Sequence, residues 1–367
     1  MKLTITTENL LLALRRVMSV IGSNPANPIL NNFLLEAADN KLLVTGLDNE
    51  ICTKTEVGAL VFESGKITLP GKKFYQIVSA LPSGDVNFEL SADDEELVDL
   101  SCRRASYKIR GLDASGFPEI EDFTEEWSFS LPGKQLVSSL AKVFYARSDD
   151  EARKVLHGVL LSIRAGMLTV AATDGRRLAL VEKVISDQDI EERDSDVILP
   201  YKTVSELIKS LDASKDVRIR LSSSVAVFET GDTTITSKLS EGKYPNYRSV
   251  IPDDFNYTAA LSRLAFADVL NRIALVVSES SSSINLELGS GQIRVWGKSP
   301  EYGEASEPVE FSYEGEEMNI AFNPEFLIEP MKHLECDQVL MKFNDNASPV
   351  AFCGDEGFLY ILMPMRN

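Results

Sequence analysis

The 367-residue chain has only two histidines, His157 and His333, and four cysteines, Cys52, Cys102, Cys336 and Cys353, with no CxxC pair. Such scarcity leaves metal centres and histidine-based acid–base chemistry poorly supplied. The scattered thiols lack the density of a disulfide framework and suit a reducing cytoplasm. No run of eighteen apolar residues occurs, so no membrane-spanning helix is expected. The opening MKLTITTENL lacks the basic and apolar regions of a secretory leader. It reads instead as a strand over Met1–Thr6 followed by a helix. A complete G-x-x-x-x-G-K-[ST] loop, a GxSxG elbow, an HExxH pair and the zinc-finger, basic-zipper and RNA-recognition signatures are all missing. Cations are also short, with 37 Lys and Arg against 56 Asp and Glu and a formal net charge of −19. On average that disfavours a nucleic-acid partner. What remains, 44% hydrophobic and 25% charged, is the composition of a globular chain long enough for two or three domains.

A repeat is present. Ile67 to Leu81, Val197 to Leu211 and Asn319 to Leu334 each read as a short apolar strand, a turn and an amphipathic helix ending in Leu. From the last strand residue (Leu69, Leu199, Phe322) to that Leu is twelve residues every time. Strands follow at Val86–Leu90, Val217–Leu221 and Val339–Phe343. Upstream, Val44, Val170 and Val295 sit in matching segments that each follow a strand and a Gly/Asn/Asp turn, 126 and 125 residues apart. Aromatic-Pro or Met-Pro corners recur at Phe117-Pro118, Tyr244-Pro245 and Met363-Pro364. Each copy opens on a helical pattern, at 8–21, 133–147 and 262–277. The expected fold class is α+β, three tandem copies of a module in which two helices pack on antiparallel sheet. The expected boundaries are 1–126, 127–251 and 252–367, where charge and Pro break the pattern.

Charge is unevenly placed. The six helical segments, completed by 71–82, 201–212 and 324–335, hold twelve bases against seven acids, so strands and loops carry the negative excess. One explanation is that Lys and Arg are simply good helix formers on solvated faces. The other is a helix-lined basic surface that meets a polyanion through its phosphates, without reading sequence. If such helices line a hole at roughly 10 Å spacing, six leave a bore of roughly 9 Å after subtracting helix thickness. That is less than the roughly 12 Å of a major groove. Twelve helices leave about 28 Å, which two chains closed head to tail would supply.

With these features assembled, the whole chain resembles the bacterial DNA polymerase III beta subunit family, the replicative sliding clamps. The residues that carry the resemblance are Asn27-Pro-Ile-Leu-Asn-Asn32, Leu69-Pro-Gly-Lys-Lys-Phe74, Gly116-Phe-Pro118, Ala172-Thr-Asp-Gly-Arg-Arg-Leu-Ala179, Thr236-Ser-Lys-Leu239, Tyr244-Pro-Asn-Tyr-Arg248 and Met363-Pro-Met-Arg366. The resemblance implies a non-catalytic processivity factor: a head-to-tail homodimer ring, helices inside and sheets outside, around double-stranded DNA. It implies that the polymerase III alpha subunit, the clamp loader and other clamp-binding-motif proteins insert a peptide between the second and third domains. The matching pocket positions are Leu156, Thr173, Gly175, Arg176, Leu178, Pro245, Val250, Ile361, Met363, Pro364, Met365 and Arg366. Leu, Val, Ile, Met and Pro would make an adaptable recess for Leu- or Phe-bearing peptides. Ordinary core packing is the alternative for Leu156, Val250 and Ile361.

The candidate DNA-contacting bases are Lys72, Lys73, Lys142, Arg147, Arg153, Lys154, Lys202, Arg272 and Lys332. Lys72, Lys73 and Lys202 stand ahead of the loop residues, because Asp149-Asp-Glu151 is acidic and Asn24 stands where the best-known members place a base. For ring closure, Tyr107 and Ile109 match the first-domain edge strand, and Leu275 and Val276 the third-domain helix end. No cofactor, metal or membrane is implied. Two other classes are weighed. An enzyme would need Asp174-Gly-Arg-Arg177 to act as acid and phosphate clamp without any glycine-rich cradle. A three-domain protein scaffold would share the repeat and the pocket but has no use for basic helices.

Overall fold

The computed structural model describes residues 1–22, 26–118, 124–185, 194–277, 283–289, 291–313 and 315–365. One element order, strand, helix, four strands, helix, three strands, occurs three times. It first runs β1 (Lys2–Thr6), α1 (Thr7–Val17), β2 (Asn32–Ala38), β3 (Lys41–Leu47), β4 (Ile51–Gly58), an extra edge strand β5 (Leu60–Glu63), β6 (Gly65–Pro70), α2 (Gly71–Ala80), β7 (Asp85–Leu90), β8 (Leu97–Cys102) and β9 (Ala105–Arg110). The second pass is β10 (Trp127–Pro132), α3 (Gly133–Phe144), a one-turn helix α4 (Lys154–His157), β11 (Val159–Arg164), β12 (Met167–Thr173), β13 (Arg177–Val184), β14 (Ser195–Leu199), α5 (Tyr201–Ser210), β15 (Asp216–Leu221), β16 (Val225–Thr230) and β17 (Thr233–Lys238). The third is β18 (Tyr257–Ser262), α6 (Arg263–Ala274), β19 (Ile284–Gly289), β20 (Gln292–Ser299), β21 (Gly303–Glu310), β22 (Met318–Phe322), α7 (Pro324–His333), β23 (Gln338–Phe343), β24 (Val350–Cys353) and β25 (Phe358–Leu362).

Two expectations need correction. The second and third passes open on a strand, as the first was expected to, not on a helix, and the helices stop two to four residues early. Val20 and Ile21 are buried although α1 has already ended at Val17, so apolar periodicity reports burial and overruns the hydrogen-bonded helix. Trimming removes Arg147, Asp212 and Glu335 from the six long helices and leaves eleven bases against five acids on them.

The chain forms two compact units, Met1–Val137 with Lys202–Leu239, and Ser138–Tyr201 with Ser240–Asn367. In the first, one sheet runs β5-β1-β7-β8-β9 and a second β10-β15-β16-β17-β4-β3-β2-β6. In the second, the sheets are β14-β11-β12-β13-β25-β24-β23-β18 and β21-β20-β19-β22. Helices lie on these sheets by amphipathic logic. In α1, Thr6 accepts the Asn9 amide as N-cap, and Leu10, Ala13, Leu14 and Val17 face inward at helical spacing. The strand beneath carries a small residue two positions after each period-marking valine: Gly46, Ala172 and Gly297. A Cβ on Gly46 would come within 2.5 Å of Val17, and one on Gly297 within 2.5 Å of Val277. Close helix–sheet approach therefore fixes these positions as Gly or Ala.

Each eight-stranded sheet contains a seam where the last strand of one pass meets the third middle strand of another. Thr233 of β17 pairs with Thr55 of β4, and Phe358 of β25 with Val181 of β13. Thr55 and Val181 are the ladder partners of Val44 and Val170, so the two seams share one register. The same two extra bonds bracket both. Glu56 N–H donates to Asp232 O and Lys238 N–H to Glu50 O in the first unit. Glu182 N–H donates to Gly357 O and Met363 N–H to Arg176 O in the second.

Candidate functional site

In the second unit, the hairpin joining β12 to β13 is held as a rigid platform beside the β13–β25 seam. Asp174 accepts the Arg176 and Arg177 amides at 2.8 and 3.0 Å, and its other oxygen meets Arg177 Nε at 3.1 Å with both side chains buried. Thr173 Oγ1 donates to Arg177 O at 2.6 Å and accepts the Gly175 amide at 3.1 Å. Gly175 takes φ +90°, which a side chain would strain. Asp174 is thus a turn residue, and a buried ion pair accompanies it.

Beneath the hairpin lies an apolar cluster of Leu160, Leu178, Leu180, Tyr244 and Ile361, against which Leu156, Tyr247 and Ile251 pack. Leu178 and Ile361 are cross-strand partners and form its floor. Tyr244 accepts the Thr173 amide on its phenol oxygen at 3.1 Å, and burial pushes that phenol's pKa up. Met363 is tied to the hairpin through its amide, and Met365 N–H donates to Ala321 O at 2.7 Å. Met363, Met365, Pro245 and Val250 are exposed and Pro364 is half-buried, so apolar groups rim a buried apolar floor. Leu156, Thr173, Gly175, Arg176, Leu178, Ile361 and Met363 are therefore brought together. Ile361 and Leu178 are core residues as well, whereas Val250, at the end of a short turn, joins the rim without entering the cluster. Arg366 and Asn24 lie outside the described residues.

Sequence reasoning missed Tyr244, Tyr247 and Phe326. The Tyr244-Pro245 corner was the available signal. Phe326, on α7, had none, yet the guanidinium groups of Arg176 and Arg177 lie 4.9 and 3.9 Å from its ring centroid. Phe326, Arg176, Arg177 and Asn323 line a cleft of about 560 Å3 beside the hairpin.

The candidate DNA-contacting bases divide sharply. Lys72, Lys73 and Lys154 are exposed, with no carboxylate partner among the described residues. Lys202 meets Asp48 at 2.8 Å and Arg153 meets Asp150 at 3.3 Å, both exposed enough to exchange partners. Lys332 pairs with Glu329 at 2.6 Å, and Arg272 grips Glu307 bidentately at 2.9 and 2.7 Å. Two candidates are corrected. Lys142 is 14% exposed and bound at 2.5 Å to Asp355, itself 11% exposed. Arg147 is packed 4.4 Å from the Tyr201 ring centroid and donates to Ser148 O and Asp149. Neither offers its charge to a ligand.

At the expected interface, Tyr107 and Ile109 lie on β9, an edge strand as anticipated. Ile109 is corrected: only 6% exposed, it belongs to the first unit's core, and Tyr107 leans on the same core. What β9 offers outward is backbone. Leu275, just past α6, is 81% exposed and Val276 half-buried. Among the described residues, no group of three His, Cys, Asp or Glu is arranged to hold a metal, and no helix is long and apolar enough to cross a membrane.

Comparison with known proteins agrees on one family. Models of the N-terminal, central and C-terminal domains of the DNA polymerase III beta subunit match residues 1–121, 130–246 and 248–366. The beta sliding clamp of Chlamydia pneumoniae is 30% identical over 100% of this chain and 99% of its own length. That of Escherichia coli K12 is 32% identical over the full length of both. A crystal structure of a Pseudomonas aeruginosa sliding clamp bound to griselimycin superposes with a TM-score of 0.93 at 28% identity, covering all of both chains. The chain belongs to the DNA polymerase III beta subunit family, the beta sliding clamps.

Proposed function

We propose that two copies of this chain close head to tail into a ring that encircles duplex DNA and tethers the replicative polymerase to it. A sliding clamp is a non-catalytic DNA-replication subunit, and the finer reading of this chain rests on one observation. Each pass of the repeat has one strand that seeks a seam, β9, β17 or β25, and one that receives it, β4, β13 or β21. β17 and β25 are taken within the chain by β4 and β13, which leaves β9 and β21 on the edges of their sheets. A strand that cannot reach its receiver within one copy can do so in a second, and two copies satisfy both edges at once.

In this reading the three modules are 1–126, 127–251 and 252–367, and twelve helices from two chains, basic in sum although α7 is acidic, supply the bore. Lys72, Lys73, Lys154 and Lys202 lead the DNA contacts, with Arg153, Arg272 and Lys332 secondary because each already has a carboxylate. Binding is to phosphates, independent of sequence. The hairpin-and-tail recess of the second unit takes an extended partner peptide: the polymerase III alpha subunit, the clamp loader and other clamp-binding-motif proteins share it. The chain works in the cytoplasm, without a cofactor. Retention on DNA tests the topology. Loaded by a clamp loader onto nicked circular DNA, the protein should survive a high-salt wash and leave once the circle is linearised. Equal retention on linear DNA with open ends would overturn the ring.

A further inference from the structure

The two internal seams specify the geometry of the third, and one residue of this chain alters it. Thr55 and Val181, which open the internal seams, face Val44 and Val170 across their hairpins, and Glu307 faces Val295 in the same way. On the other side, the second residue of the strand after each second helix is Val86, Val217 or Val339. Following the ladder from Val217 leads to Thr233, and from Val339 to Phe358. From Val86 it leads through Cys102 to Ala105. Ala105 is thus the counterpart of Thr233 and Phe358, and Glu307 that of Thr55 and Val181.

One step beyond Thr55 and Val181, the amides of Glu56 and Glu182 close their seams by donating to Asp232 O and Gly357 O. The residue one step beyond Glu307 is Pro308, which has no N–H. Proline survives in a strand only where its nitrogen faces away from the paired neighbour, and β21 is paired on one side only, with β20. Its nitrogen therefore points to the open edge.

Resting on the ring reading above, we infer that β9 pairs with the partner's β21 in the register Ala105 to Glu307 of the partner subunit, and that Pro308 leaves this seam one hydrogen bond short of the internal ones. The carbonyl of Arg104, counterpart of Asp232 and Gly357, receives no donor there. A ring threaded onto DNA must open somewhere, and the missing bond makes the interchain seam the one that parts. It also blunts an exposed strand edge against unwanted pairing in the free chain.

The test restores the donor. In Pro308→Thr, each seam regains one backbone bond, expected to tighten it about fivefold, and the two seams of the ring together lower the dimer dissociation constant about 25-fold. Ser306→Thr, on the same exposed face of β21, adds β propensity but no donor and should stay within twofold of the parent. Dilution followed by sedimentation velocity gives the constants. Amide hydrogen exchange supplies an independent readout, because the backbone N–H that the substitution restores should be protected in the dimer and exposed in the monomer. A Pro308→Thr constant within twofold of the parent, or a restored N–H that exchanges freely in the dimer, overturns the inference and leaves the ring intact. Absence of any dimer in the parent chain overturns the ring reading itself.

Discussion

Lys142 shows how one residue can leave a surface role for a structural one. Asp355 accepts the Cys336 amide at 2.8 Å and the Glu335 amide at 3.2 Å, so it caps the chain leaving α7 while Lys142 of α3 neutralises it. Burial alone would raise the Asp355 pKa. The hydrogen bond and charge of Lys142, with the two amides, outweigh it and hold the carboxyl below its usual range. Removing one partner of a buried pair strands the other, so Lys142→Ala should lose about 3–5 kcal/mol of unfolding free energy. Lys142→Met with Asp355→Asn should recover most of that in urea melts. Glu329 predicts an acid limit. Its hydrogen bond to His333, opposed by burial and reinforced by Lys332, brings its pKa to about 2 from 4.5. A carboxyl depressed in the folded state stabilises fully above its unfolded pKa and loses that contribution as pH falls towards the folded one. Stability should therefore decline between about pH 4.5 and pH 2, and Glu329→Gln should flatten that slope in melts taken across the range.

Among the elements, the seam strand β25 and its tail join fold to function. The chain past Leu362 runs out along the Arg176 hairpin and then bonds Ala321 beside α7. Removing residues 363–367 deletes the exposed methionine rim but leaves β25 paired, so partner-peptide binding should vanish while the dimer persists. Fluorescence anisotropy with a polymerase peptide, beside sedimentation, checks both halves, and normal peptide binding would refute the pocket. Much of this was legible beforehand. The twelve-residue interval to Leu81, Leu211 and Leu334 located three helices, and the valine period located three buried strands. The initial strands β10 and β18 were hidden because each offers only three alternating inward positions (Trp127, Phe129 and Leu131; Tyr257, Ala259 and Leu261) before a helical period takes over. Lys142 could not be told from Lys134, eight residues earlier on α3, because the carboxylate that claims it lies more than two hundred residues away in sequence. Local pattern reveals periodicity and caps, while pairing at a distance appears only once the chain has folded.

For the whole molecule, a net charge of −19 poses a problem for self-association as well as for DNA, since like-charged copies repel. The edges meant to meet carry opposite signs. On the outward face of β9 stand Lys108 and Arg110, and on that of β21 stand Glu304 and Glu310. In the register set by the internal seams, Lys108 lies directly opposite the partner's Glu304, and Tyr107 opposite the partner's Ala305 on the inward face. Inward therefore meets inward and cation meets anion, which a shift by one residue would undo. Lys108 also stands 3.7 Å from Asp99 of its own chain, a separation too long and too exposed to hold it back from a better partner. An opposed pair on a sheet surface contributes about 0.2–1 kcal/mol, and a ring contains two. Lys108→Glu should place like charges face to face and weaken the dimer roughly fivefold to thirtyfold. Glu304→Lys alone should do the same. Combining the two restores an opposite pair with its polarity reversed, so the double variant should regain most of the parent's dissociation constant. Independent losses that simply add in the double variant would mean that the two side chains never meet, and the deduced register would fall with them.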